Sequence, residues 1–195
     1  MLQAIGILTR PEYVRYIVES LGGEYGESIV IHDIVKKFNE NEYVIRVAQS
    51  VTQIKKCEYL FMIGTSIDES SANTGKVFFI DSAYYNGNMD TLTSHACSKM
   101  KSYFSTLMDT EVLSNIFNMG ISCDNNCSNY VVAYDCKLPV VFDTNSFNFM
   151  NYCESICHDN YAVIKGIINE SSSDDDIKVS LLRAVSIFVT FFNSL

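Results

Sequence analysis

Residues 58–92, EYLFMIGTSIDESSANTGKVFFIDSAYYNGNMDTL, decide how the chain is read. Residues 59–63 and 77–80 are two apolar runs of strand length, rich in aromatic and β-branched side chains. Small polar residues and glycine bound each run. The first ends in Gly64-Thr65-Ser66, which brings backbone N–H groups and two hydroxyls to the C-terminal edge of a strand. That edge is where α/β sheets bind ligands. The second follows Thr74-Gly75-Lys76 and runs into Asp81, the pair Tyr84-Tyr85 and an expected turn at Asn86-Gly87-Asn88.

Upstream, residues 1–8 read as a buried first strand. Thr9 or Arg10 precedes a helix with Pro11 at its first position and Glu12 in its first turn, where a carboxylate favours the helix dipole. Tyr13, Val14, Ile17, Val18 and Leu21 keep helical spacing up to Gly22-Gly23. Residues 28–32 and 43–48 read as strands of a meander with a charged turn region between them. Residues 50–57 read as one or two helical turns.

Downstream, residues 92–117 read as helical. Cys97, Met100, Phe104, Leu107 and Met108, then Val112, Leu113, Ile116 and Phe117, recur at three- and four-residue intervals. Short apolar runs follow at 119–121, 131–134 and 140–142. Asp143-Thr144-Asn145-Ser146 opens a helix reaching about Cys157, with Asp143 as its N-cap. Residues 161–169 form a buried strand, 170–176 a solvated acidic loop, and the remainder a buried terminal helix capped by Ser173. Strands alternating with helices predict an α/β fold with a central mixed β-sheet flanked by helices, one domain over residues 1–195.

The net charge of −9 disfavours a nucleic-acid or anionic-membrane partner; Lys36-Lys37 and Lys55-Lys56 are isolated basic pairs. An uncharged nucleoside is not excluded by that charge. The first residues lack a signal-peptide pattern, and no run of 18 apolar residues occurs, so a cytoplasmic chain is expected. The odd count of seven cysteines fits reduced thiols. Cys123/Cys127 and Cys153/Cys157 have the i, i+4 spacing of a zinc site. They lack the turn residues of a knuckle, so buried or half-buried thiols are the favoured reading and no metal or cofactor is expected.

The order of strand, Gly64-Thr65-Ser66, loop, Gly75, apolar run, Asp81, Ala83 and Tyr84-Tyr85 resembles the nucleoside phosphorylase/nucleosidase superfamily. It is most like the branch that hydrolyses 5′-methylthioadenosine and S-adenosylhomocysteine. MIGTSIDE stands where that branch reads NTGSAGGL, and TGKVFFIDSAYYNGNMD where it reads VGDIVVSDEARYHDAD. The resemblance implies an adenine nucleoside as ligand, hydrolysis of its N-glycosidic bond, and a homodimer. It implies a water-orienting carboxylate after the first strand. Ungapped from Ile5-Gly6-Ile7 the family glutamate falls at Val14, and the nearest carboxylate is Glu12. For the ribose-binding E-M-E motif it offers Asp143-Thr144-Asn145, or Thr144-Asn145-Ser146 without the gap. In FVVVRAISD the family aspartate protonates the departing adenine; here Asn169 takes its place and Lys165 that of the arginine. Tyr130 would cover the base, and Thr65 and Ser66 would touch sugar or base. The family's Gly-rich turn before the central strand is missing and no arginine stands near it, which speaks against phosphorolysis.

Two alternatives share this fold. One is a degenerate nucleoside-binding protein, because an amide cannot donate a proton as the family's aspartate does. The other is an interaction module whose pocket is closed by aromatic side chains.

Overall fold

Strands β4 (Tyr59–Ile67) and β9 (Tyr161–Ile168) lie side by side at the centre, paired in parallel from Leu60↔Tyr161 to Ile67↔Ile168. All of β9 is buried, which is why it reads as an almost unbroken apolar run. The structure, a computed structural model, describes residues 2–88, 91–96, 98–124 and 137–195.

On the other edge of β4, β1 (Gln3–Leu8) pairs in parallel, and β3 (Asn41–Ala48) and β2 (Ile31–Phe38) extend the sheet outward. β5 (Val77–Asn88) pairs antiparallel with β9 and parallel with β7 (Phe117–Cys123). β7 pairs with β8 (Val140–Phe142), and β8 returns to β4 through Ile67↔Phe142. β4, β9, β5, β7 and β8 therefore form a closed ring. The fold is mixed α/β, as expected, but its sheet curls into a barrel instead of lying as a central layer between helices. A register shift between Ile80 and Ser82 leaves Asp81 as an extra residue on β5. Such a bulge adds the bend and twist that closure needs.

Four described helices cover the ring: α1 (Val14–Ser20), α2 (Ser98–Met108), α3 (Asn145–Ser155) and α4 (Asp174–Ser194). By length and composition α4 could cross a membrane. Here its Leu181, Val185, Phe188, Phe191 and Phe192 are buried in the core. Phe188 meets Phe61 edge-on at 5.0 Å, Phe191 stacks on Phe104 at 4.4 Å, and Phe192 stacks on Phe38 at 5.3 Å. At its start, Ser173 and Asp176 form the reciprocal cap. The helix packs so closely on β9 that a Cβ at Gly166 would lie 2.3 Å from the Ser180 carbonyl oxygen.

Several sequence expectations change. The charged stretch read as a turn lies in β2, where His32, Ile34 and Phe38 alternate inward and Asp33, Val35 and Lys37 point out. The hairpin turns at Asn39, which takes φ of 51°. Asn86-Gly87-Asn88 belongs to β5, and Asn88 pairs with Thr91 of β6 (Thr91–Ala96). The start of the region read as helix is thus a strand, and its end is also non-helical. Val112 is exposed, and Phe117 begins β7. Residues 50–57 contain a single 3-10 turn, Val51–Gln53, held by a Ser50/Gln53 capping box. Burial pushes the Cys153 thiol up to about 12, whereas Cys157 lies exposed beyond the helix at φ of 54°. The pair leaves one face because the chain has already turned away. Cys97, Cys127 and the run 131–134 lie outside the described residues.

Candidate functional site

β1 follows β4 only as far as Leu8↔Met62, and β8 meets β4 at Ile67. Between those points residues 63–66 face no strand on that edge among the described residues. Thr9 turns back to give its hydroxyl proton to the Ile63 carbonyl at 2.8 Å. The strands diverge at their C-terminal ends, and two adjoining hollows open in the fork.

The larger hollow, about 770 Å³, is lined by Glu12, Tyr13, Thr65, Asp143, Thr144, Asn145 and Asp174, among others. That volume suits a nucleoside-sized ligand. Pro11 opens a 3-10 turn, Pro11–Tyr13, directly after β1, and this turn delivers Glu12 and Tyr13. The Tyr13 hydroxyl lies 2.8 Å from Thr65 Oγ1 and fixes it. Glu12 remains half exposed and pairs with Arg10 at 2.9 Å. Thr144 and Asn145 come from the start of α3.

Asp143 forms the knot of the site. The N-cap of α3 is Thr144 and not Asp143 as expected, yet from one residue earlier Asp143 Oδ1 accepts from the backbone N–H groups of Asn145 (3.1 Å) and Ser146 (2.8 Å). Its Oδ2 accepts from the hydroxyls of Ser66 (2.5 Å), Ser122 (3.0 Å) and Ser146 (3.0 Å). A carboxylate offers about four lone-pair positions, so these donors exhaust it. Lys165 Nζ stands 3.7 Å from Oδ1, with both side chains nine-tenths buried or more. Burial by itself would raise the Asp143 carboxyl, but the Lys165 ammonium and the bonds from Ser66 and Ser146 outweigh it and hold the group below its ordinary value. Burial lowers Lys165, and the Asp143 charge offsets that in part.

The residues singled out from sequence separate here. Glu12, Thr65, Asp143, Thr144 and Asn145 converge on one hollow. Ser66 is buried beneath it and committed to Asp143. Asn169 lines a different hollow, with Thr74, Ser171 and Arg183. Its Oδ1 accepts from the Ser171 N–H at 2.8 Å and the Ser172 hydroxyl at 3.3 Å, and its amide donates to Thr74 at 3.4 Å. A short turn after β9 thus consumes the group placed opposite the base from sequence. Tyr130 lies outside the described residues. Arg10 corrects the expectation that no arginine stands near, because the end of β1 brings it to both hollows.

Sequence reasoning missed Arg10, Tyr13, Ser122 and Asp174, and gave Lys165 no role of its own. Lys165 did carry a signal, since a lone cation in an otherwise apolar strand demands a partner. Ser122 and Asp174 carried none, for each is one polar residue in a polar neighbourhood. Among the described residues no cluster of His, Cys, Asp and Glu could hold a metal ion.

Sequence comparison finds no matching family model and no matching curated protein. Solved structures do match. Helicobacter pylori 5′-methylthioadenosine/S-adenosylhomocysteine nucleosidase with butyl-thio-DADMe-Immucillin-A gives a TM-score of 0.69 at 10% identity, over the full length of both chains. An aspartate-to-asparagine mutant of the H. pylori nucleosidase, with 5′-methylthioadenosine in its active site, gives 0.67 at 12% identity, again over both full lengths. H. pylori futalosine hydrolase gives 0.63 at 11% identity, covering 100% of this chain and 97% of that one. The chain shares the fold of the nucleosidases that its sequence pattern resembles.

Proposed function

We propose that the chain binds a purine nucleoside, such as 5′-methylthioadenosine or S-adenosylhomocysteine, in the larger hollow and hydrolyses its N-glycosidic bond. The observation that carries this reading is the opening of Glu12 onto the same hollow as Thr65 and the start of α3, within a nucleosidase fold. A water oxygen attacks C1′ while the bond to the base breaks, and the bond's electron pair leaves with the base. Glu12 takes the proton that water loses. A solvent molecule held by Asp174, which lines the same hollow, gives a proton to a ring nitrogen of the base. Solvent then takes the proton from Glu12, which replaces the one given to the base. Tyr13 and Thr65 orient the sugar, and Asp143 positions the walls without touching it.

The second reading, nucleoside binding without turnover, is favoured by the exhausted Asp143 and the withdrawn Asn169. Incubation with 5′-methylthioadenosine, with and without phosphate, separates the readings. Phosphate-independent release of adenine supports hydrolysis. Thermal stabilisation without adenine supports binding alone. Neither response overturns both. Light scattering on the same samples reads the homodimer that the resemblance implies.

A further inference from the structure

The smaller hollow, about 400 Å³, adjoins the larger one and shares Arg10 and Asn145 with it. Leu8, Val51, Met62 and Phe149 give it apolar walls, while Arg10, Gln49, Asn148 and Lys165 supply donors. Among the described residues no carboxylate lines it, although the chain carries a net charge of −9. Lys165 is 3% exposed, and its ammonium has three protons to donate. Its contact with Asp143, at 3.7 Å, is longer than a hydrogen bond, and five other donors already hold that carboxylate. Gly64 keeps the ammonium open to the hollow, since a Cβ there would sit 3.3 Å from Nζ. Arg10 adds a second positive charge, close enough to disfavour the charged form of Lys165. Arg10, whose guanidinium also pairs with Glu12 at 2.9 Å, and Lys165 bring two cations to a hollow that no described carboxylate lines, which forms a seat for an oxyanion.

We propose that the smaller hollow receives an anionic arm, a phosphate or carboxylate carried on the sugar of the nucleoside bound in the larger hollow. This rests on the nucleoside reading above and narrows it. The base of a nucleoside is uncharged, and its sugar is where an acidic substituent is attached. A ligand filling both hollows therefore places its base and ribose among Glu12, Thr65 and Asp174, and its acidic group between Arg10 and Lys165. Free phosphate shares this chemistry, so the test must separate an attached oxyanion from a free one.

Calorimetric titration of the full chain with adenosine and with adenosine 5′-monophosphate measures the arm directly. The monophosphate is expected to bind at least tenfold more tightly, with an advantage that shrinks as salt rises. Lys165→Met removes the advantage. Because that substitution strands the Asp143 charge and weakens the fold, Arg10→Gln on the exposed rim serves as the second variant and reduces the advantage at least threefold. Equal affinity for the two ligands overturns the arm while leaving the nucleoside reading intact. Binding of neither overturns the nucleoside reading itself. Inorganic phosphate that binds together with adenosine, and as tightly as the monophosphate does, assigns the seat to a free anion and overturns the arm.

Discussion

Lys165 Nζ lies 3.7 Å from Asp143 Oδ1, and the two charges join β9 to the start of α3 inside the protein. Breaking a buried pair from one side leaves the other charge stranded, typically at about 3–5 kcal/mol. Asp143→Ala is therefore expected to lower stability by about that much in urea unfolding at neutral pH. Asp143 is held below its unfolded value of about 3.9. Its contribution is complete above that value and is lost as pH falls through the folded one. Wild type should consequently lose stability more steeply below about pH 4 than Asp143→Asn does; parallel acid profiles would show that the carboxylate is not held in its charged form.

Glu12 is exposed and its pair with Arg10 lies at the surface, so Glu12→Gln should leave the melting temperature nearly unchanged. Adenine release should fall by roughly 10²- to 10⁴-fold, the span typical of a lost general base. A variant that keeps full activity removes Glu12 from the reaction.

Asp174 and Asp175 are neighbours in the first turn of α4, but only Asp174 is among the residues lining the larger hollow. Asp174→Asn is expected to depress kcat while nucleoside binding persists. Asp175→Asn should match wild type. A nucleoside analogue whose leaving group needs no proton should be cleaved equally by wild type and Asp174→Asn. If both asparagine variants behave alike, Asp174 takes no part in protonating the base.

Asn169→Asp introduces the residue that the nucleosidase resemblance implies at this position. Because Asn169 faces the hollow lined by Thr74 and Arg183, the change should not raise adenine release. It should lower stability modestly through loss of the amide donor to Thr74. A gain in turnover would mean that the turn after β9 opens toward the nucleoside.

Much of the architecture was legible in the chain because its signals are local. β4 and β9 announced themselves as apolar runs, Pro11 marked the turn after β1, and Ser173 marked the start of α4. The barrel was not legible, since closure depends on a bulge at Asp81 and on one pairing between strands 75 residues apart. β6 was hidden because its neighbourhood also satisfies helical spacing, and pairing with β5 decided the matter. At the site, pattern could bring Glu12, Thr65 and Asp143 to one edge. It could not show that serines from β4, β7 and α3 would exhaust Asp143, because hydroxyl direction is set by tertiary packing. Nor could it show which way Asn169 turns, which follows from three hydrogen bonds within its own loop and to Thr74.

The ring of strands is fastened at Ile67↔Phe142, whereas the seam between β4 and β9 carries eight residue pairs and that between β7 and β8 three. A cylinder stitched by one rung along one side breathes there first, because little has to be surrendered to part it. Phe142 adjoins Asp143, and Ile67 lies two residues beyond Thr65, so each such breath loosens the wall of the larger hollow while the aromatic core stays shut. Amide exchange at these positions should run ahead of the rest of β4, and a bound molecule spanning the seam would slow it by acting as the missing stitches.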